Sequence, residues 1–329
     1  MKSVKFEDNR ISITQTPVPE PLQDEALIQV SMAGICATDM EILSGYAGFS
    51  GTPGHEFSGT VKYAPRHPEL HGRRVVADIN CGCGKCPRCL CADPRHCRAR
   101  TVIGIRGRNG AFAEYLAVPV KNLHMIPESV DNTSAVFAEP LAAALEVSQQ
   151  VHIKNKERVV VLGDGKIGLL AALALKHNSG SLVLAGRHPE KLEIASKQGI
   201  DTIQLSPVDT AETAARSVGP GHFDIVVEAT GSPEGISTAL GLVRPEGTVV
   251  VKTTSRSLSQ MDLSAVVVNE IHIMGSRCGD MDLALRYLEN RWVDTAPLLE
   301  KIYPFSNFME AFRHAGQRGS LKVLLDMES

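Results

Sequence analysis

The rhythm of hydrophobic positions changes near residue 150. Before it, apolar residues come in short runs broken by Pro17, Pro19, Pro21 and glycine turns, over Val4–Val30 and again over Gly110–Pro119 and Asn122–Ile126. Such runs predict an all-β region with edge strands and turns. The stretch TSAVFAEPLAAALEVSQQV then reads as a helix, with Glu139 before Pro140 near its beginning. Beyond it, apolar strands alternate with helical stretches. Strands are expected at Val159–Leu162, Leu182–Ala185, Thr202–Leu205, Asp224–Glu228, Thr248–Lys252 and Ile271–Gly275, with helices such as Pro189–Gln198 and Pro233–Leu242 between them. Six strands connected in this way predict an α/β domain with a doubly wound parallel sheet. From Met281 the chain offers two helical runs, LALRYLEN and NFMEAFRHA, and a last strand, LKVLLDM, expected to return to the first domain.

Within the alternating half, Val159–Leu175 (VVVLGDGKIGLLAALAL) has the clearest ligand. Gly163 allows a tight turn, Gly165 lets backbone approach a pyrophosphate, and Gly168 lets helix pack closely on strand. Lys166 and Ile167 open the helix whose N-terminus would face the phosphates. An ordinary glycine turn is the alternative. The context favours a dinucleotide, since a strand precedes, a helix follows, and a second strand comes where a βαβ unit needs one.

The length of 329 residues suits two domains. A formal net charge of -3, with both signs well mixed, makes no case for nucleic acid or an anionic membrane, so small metabolites are the default partners. The segment MKSVKFEDNRISI lacks an apolar signal core, and no run approaches the ~18 apolar residues of a membrane span. A cytoplasmic protein is expected. Six of its eight cysteines lie between Cys81 and Cys97, a density that points to metal rather than disulfides in such a protein. Cys83, Cys86, Cys89 and Cys97 form C-x2-C-x2-C-x7-C, and four thiolates at these spacings can close on a structural zinc. Cys81 and Cys91 are surplus, so another register is conceivable.

Three further segments carry zinc-ligand types. Cys36, Thr38 and Asp39 lie in GICATDMEILSG, His55 and Glu56 in TPGHEFSGTV, and Glu139 in AEPLA. Singly, each has a plain reading: a small buried thiol, a turn histidine, a carboxylate compensating a helix dipole. The case rests on their combination.

Taken in order, GIC-x-TD, GHE, the four-cysteine loop, AEPLA, GxGxxG and EATG resemble the zinc-dependent alcohol dehydrogenase family of medium-chain dehydrogenases, over nearly the whole chain. The resemblance implies a GroES-like β catalytic domain over residues 1–147, completed by 290–329, and a Rossmann domain over 148–289. It also implies two zinc ions per chain. Cys36, His55 and Glu139 match the catalytic ligands of the polyol branch, similar to sorbitol dehydrogenase; many alcohol dehydrogenases have cysteine as the third. Glu56 would enter or leave coordination, and Asp39 would orient the His55 ring. The implied reaction is hydride transfer between a small secondary alcohol or polyol (or its ketone) and a nicotinamide cofactor, with zinc easing loss of the hydroxyl proton. Thr38 would pass that proton onward. Many relatives have a histidine where this chain has Glu41, which leaves a replacement relay and a solvated helical glutamate both open. Arg277 follows the last Rossmann strand, where the family often brings a residue near the diphosphate; a surface arginine is the alternative. The family commonly forms homodimers or homotetramers through that strand, here Ile271–Gly275.

The resemblance also frames cofactor choice. NAD-using relatives end the second strand in an acid that bonds the adenosine ribose. Here that strand ends in Gly186, 18 positions after Gly168, with no acid until Glu190. Arg187 and His188 offer donors to a 2'-phosphate, so NADP(H) is expected to be favoured over NAD(H), unless Arg187 only stacks on adenine. Tyr46, Phe49 and Phe112 are expected near the substrate. Two competing readings are weaker. A zinc-ribbon nucleic-acid module on a cofactor sensor lacks basic character, and a zinc-free quinone reductase would not need Cys36, His55 and Glu139.

Overall fold

The computed structural model describes every residue except 8, 9, 46, 47, 92, 207, 208, 210, 220, 222 and 256. Tyr46 therefore lies outside the described residues. The chain divides into two units. One comprises Met1–Glu139, Ala284–Asn290 and Leu299–Ser329, and the other Pro140–Leu283 and Arg291–Leu298.

The first unit is built around the strand Glu25–Ile35, which is buried along most of its length. It pairs antiparallel with Glu56–Tyr63, Tyr115–Pro119 and Lys322–Asp326 in a seven-stranded sheet. Near-continuous apolar sequence, EALIQVSMAGI, fits a strand with little exposure on either face. Its end is fixed by two registers: Gly34 opposite Glu56, and Val323 opposite Ile35. The tail strand thus lies directly beside the segment that leads into Cys36.

Phe112 is completely buried and meets Phe308 and Phe312 of the tail helix Phe308–Ala315 edge-on, at 5.6 and 6.5 Å between ring centroids. Phe49 is buried against Phe6 and Ile42. Both rings, expected near the substrate, are core residues. Isolated aromatic residues in glycine-rich loops carry no sign of which way they face, and here the tail and the N-terminal hairpin supply apolar partners. The stretch read as one helix is two, Asn132–Ala135 and Ala138–Gln150. Pro140 sits in the first turn of the second, where its missing N–H costs nothing.

In the second unit six parallel strands run in the order Asp201–Gln204, Ser181–Gly186, Arg158–Leu162, Phe223–Glu228, Val243–Val251, His272–Gly275. This is a doubly wound sheet whose order reverses between the third and fourth of these, the crevice where such sheets bind ligands. His272–Gly275 is the outer edge, with His272, Ile273 and Gly275 exposed. The segment feeding it exposes Leu258, Met261, Leu263, Val267 and Val268. Among the described residues no helix is long and apolar enough to cross a membrane.

Candidate active site and dinucleotide site

Cys36 ends the central strand of the first unit and begins the helix Ala37–Leu43. Asp39, one turn in, is fully buried; its Oδ2 accepts the Cys36 N–H at 2.8 Å, while its Oδ1 stands 3.4 Å from Nδ1 of His55. Neither His55 Nδ1 nor Asp39 Oδ1 has a well-aligned hydrogen-bond partner. The carboxylate nonetheless fixes which ring nitrogen faces it, leaving the other to point elsewhere. Burial pushes the His55 imidazole down, but the Asp39 charge, with help from Cys36, outweighs it and holds the ring well above its ordinary value.

His55 and Glu56 precede and open the strand paired with Gly34. A side chain at Gly34 would strike Glu56 Oε2 at 2.6 Å and Val136 at 2.9 Å, so glycine there makes room for the carboxylate. Ligand atoms of Cys36, His55 and Glu56 all lie within 4.8 Å of one another. Glu139 is not in that close group. It opens the helix Ala138–Gln150, and desolvation pushes its carboxyl up to about 7, with His55 and Lys322 pulling it down and Glu56 pushing it up. Thr38 places its hydroxyl 3.7 Å from the Cys36 sulfur, and Glu41 is exposed on the same helix.

Lys322 carries no local sequence signal for this site. Almost fully buried on the last strand, it pairs with Glu56 Oε2 across 266 positions of sequence. Burial lowers its pKa, but the charges of Glu56, Cys36 and Glu139 outweigh that and raise it. A lysine in LKVLLDM reads like any strand lysine; only the register of the tail strand brings it inward.

The four cysteines converge as their spacing implies. The sulfurs of Cys83, Cys86, Cys89 and Cys97 all lie within 4.8 Å of one another, with Cys86 and Cys89 at 3.6 Å. Four thiolates ~2.3 Å from one ion would stand roughly 3.8 Å apart, so this set fits tetrahedral zinc. Backbone N–H groups of Lys85 and Cys86 pull the Cys83 thiol down to about 6, while burial and the neighbouring thiols push Cys89 up to about 11. Cys81 is buried apart from this group, its thiol pushed up to about 11 by desolvation, and Cys91 is exposed.

In the second unit Gly163 turns at φ 112°, and a side chain there would meet the Ala229 carbonyl at 2.6 Å. Gly168 is packed harder still, its absent Cβ only 1.9 Å from the Gly163 carbonyl oxygen. Gly165 caps the helix Lys166–Leu175 and faces open space, as a backbone that must approach phosphates requires. Ile167 lies in the first turn with Lys166. Arg187 is exposed, its Nη2 3.5 Å from the Asp209 carbonyl, and Arg277 is exposed just past the edge strand. The EATG motif closes the crevice: buried Glu228 accepts bonds from the Thr230 N–H and hydroxyl and from the Thr253 hydroxyl. Beside it a cavity of about 310 Å³ is lined by Glu228, Ser232, Ile236 and Thr253 among others.

A catalytic β unit with a Cys–His–Glu cluster, a four-thiolate lobe and a glycine-rich dinucleotide turn together define a zinc- and nicotinamide-dependent dehydrogenase. Residues 22–128 match the family model of the alcohol dehydrogenase GroES-like domain, and 167–298 match that of the zinc-binding dehydrogenase. D-arabinitol dehydrogenase 1 of Uromyces fabae is 31% identical over 98% of this chain and 96% of its own. Among solved structures, an alcohol dehydrogenase of Escherichia coli complexed with NADH is similar at a TM-score of 0.91 and 28% identity, covering 99% of both chains. A zinc-binding dehydrogenase of Sinorhizobium meliloti bound to NADP reaches 0.90 and 29%, again over 99% of both. The chain belongs to the zinc-dependent alcohol dehydrogenase family of medium-chain dehydrogenases, and it is an NAD(P)-dependent oxidoreductase.

Proposed function

We propose that the chain oxidises a small secondary alcohol of the polyol class, or reduces the matching ketone, with two zinc ions per chain. The observation that carries this reading is the cluster of half-buried Cys36 with buried His55 and Glu56, with Asp39 behind the histidine and Glu139 close enough to feel the charges of both His55 and Glu56. Cys36, His55 and Glu139 would hold the catalytic zinc. Glu56, paired with Lys322, stands by as an exchanging carboxylate, and Asp39 holds the His55 ring. Cys83, Cys86, Cys89 and Cys97 would hold the structural zinc. When bound, the catalytic ion supplies Lewis acidity at the alcohol oxygen and the nicotinamide supplies the hydride acceptor. Thr38 would accept the substrate's hydroxyl proton while releasing its own to the nicotinamide ribose, and Glu41, on the exposed side of the same helix, would be the last group before water. Resemblance to an arabinitol dehydrogenase over the full chain supports the polyol class.

NADP(H) is favoured over NAD(H). Gly186 presents no side chain at the end of its strand, and the exposed Arg187 offers a planar donor fork suited to a phosphate. Arg277 assists at the diphosphate. The enzyme works in the cytoplasm as a homodimer or homotetramer, and the exposed edge His272–Gly275 beside five exposed apolar side chains supports association there. The test is a panel of alcohols, polyols and sugar alcohols assayed with both cofactors by nicotinamide absorbance, for the wild type and Arg187→Ala. Polyol oxidation with a higher kcat/KM for NADP(H), lost selectively in Arg187→Ala, supports the reading. Turnover confined to primary alcohols, or a wild type that prefers NAD(H), contradicts the corresponding part.

A further inference from the structure

The strand-end acid that reads an adenosine ribose is missing at Gly186, yet the space it would occupy is not empty. A Cβ built on Gly186 would collide with Asp164, at 2.5 Å from both its Cβ and its Oδ2. Asp164 is the residue between the first two glycines of GDGKIG, and it is 6% exposed. Its Oδ2 accepts the backbone N–H groups of Arg187 at 2.7 Å and His188 at 2.6 Å. Nδ1 of His188 lies 3.0 Å from Oδ1 and 3.2 Å from Oδ2. A carboxylate therefore stands at the end of the second strand after all, delivered from the glycine-rich turn.

Three consequences follow for the ligand. The charge of Asp164 opposes a phosphate brought to Arg187 and His188. Two N–H groups and one imidazole nitrogen that would otherwise be free for a phosphate are already bonded to it. Among the described residues its Oδ1 carries the His188 contact alone and retains lone-pair capacity for a ribose hydroxyl. We propose that Asp164 is the cofactor-discriminating residue of this chain, acting in place of the strand-end acid to penalise a 2'-phosphate and to accept from a 2'-hydroxyl. This deepens the assignment of Gly186, Arg187 and His188 to ribose recognition and rests on it. The NADP(H) preference drawn from Arg187 is accordingly held down by Asp164, and the sequence carries both a phosphate partner and its counterweight.

The experiment measures dissociation constants of NADH and NADPH for the zinc-loaded enzyme by nicotinamide fluorescence. Wild type is compared with Asp164→Asn, Asp164→Ser and Arg187→Ala. Asparagine keeps an acceptor for the two N–H groups and removes the charge; serine removes the charge with less bulk, so the test stands if either variant folds. Expected is an increase of about tenfold in Kd(NADH)/Kd(NADPH) on neutralising Asp164, the scale of one charge interaction at a partly solvated site. Most of it should come from tighter NADPH. A ratio unchanged within about twofold, or equal weakening of both nucleotides as loss of a mere scaffold would give, overturns the proposal. A wild type that prefers NADH, with the ratio still shifting in Asp164→Asn, removes the NADP(H) preference and leaves the role of Asp164 supported.

Discussion

Replacing Lys322 by methionine tests the electrostatics of the active site most severely. Lys322 and Glu56 are 2% and 1% exposed, so neither charge has water to fall back on. The substitution keeps most of the aliphatic stem and removes the ammonium, leaving the Glu56 carboxylate buried beside Cys36 and close enough to Glu139 to push that carboxyl up. Breaking one side of a buried pair costs about 3–5 kcal/mol, whereas losing an exposed pair costs roughly 0–1. The charge of the proposed catalytic zinc would share the compensation, so the lower end, about 3 kcal/mol, is expected for the zinc-loaded enzyme. The raised lysine also sets the pH window. A group with an elevated folded pKa contributes fully below its unfolded value, about 10.4, and loses its contribution only as pH rises through the folded one. The lysine's own contribution should therefore not change between about pH 6 and 9, and any slope of the deficit in that range reports Glu139, whose carboxyl is pushed up to about 7. Urea unfolding followed by circular dichroism measures it, together with the double variant Lys322→Met/Glu56→Gln. Neutralising both partners should recover most of the loss, because a neutral pair leaves no buried charge. A loss under about 1 kcal/mol, or a double variant no more stable than the single, refutes the account of a desolvated pair.

Two further outcomes are expected. Cys89→Ser should lower thermal stability and release one zinc before it affects the chemistry of the remaining folded enzyme, since its sulfur belongs to the four-thiolate lobe and not to the catalytic cluster; a variant of unchanged stability that keeps both zincs excludes Cys89 from the structural site. If the chain associates through its exposed edge strand as proposed, Ile273→Lys should give a smaller species than the wild type in light scattering at micromolar concentration, and a monomeric wild type removes the interface altogether.

What could be read without coordinates follows from how local each feature is. The four-thiolate lobe closes within fifteen positions, and the dinucleotide turn is one strand, one turn and one helix; both are short-range chemistry with strict residue requirements. The parallel sheet was legible because each strand is an apolar run flanked by helical periodicity, and its ends differ from the expected ones by a residue or two, except Val243–Val251, which starts earlier. Cys36, His55 and Glu56 were legible as types, and the Gly34–Glu56 register shows why they meet. Lys322 was not, because its inward side is decided by pairing between strands nearly three hundred residues apart. Asp164 was missed for a different reason. The fold usually supplies this acid after the second strand, whereas here a position between the motif's glycines reaches the same spot through space. Nothing local to Phe112 reveals that Phe308 and Phe312 cover it.

The catalytic zinc is the claim on which the rest depends, and metal analysis of Cys36→Ser tests it most directly. The wild type should hold two zinc ions per chain. Cys36→Ser should hold one, remain folded by circular dichroism, and show no turnover with any alcohol that the wild type oxidises, because the serine hydroxyl is a far poorer zinc ligand than a thiolate. A Cys36→Ser enzyme that retains both zincs and normal activity contradicts the assignment of the Cys36–His55 cluster as the catalytic metal site.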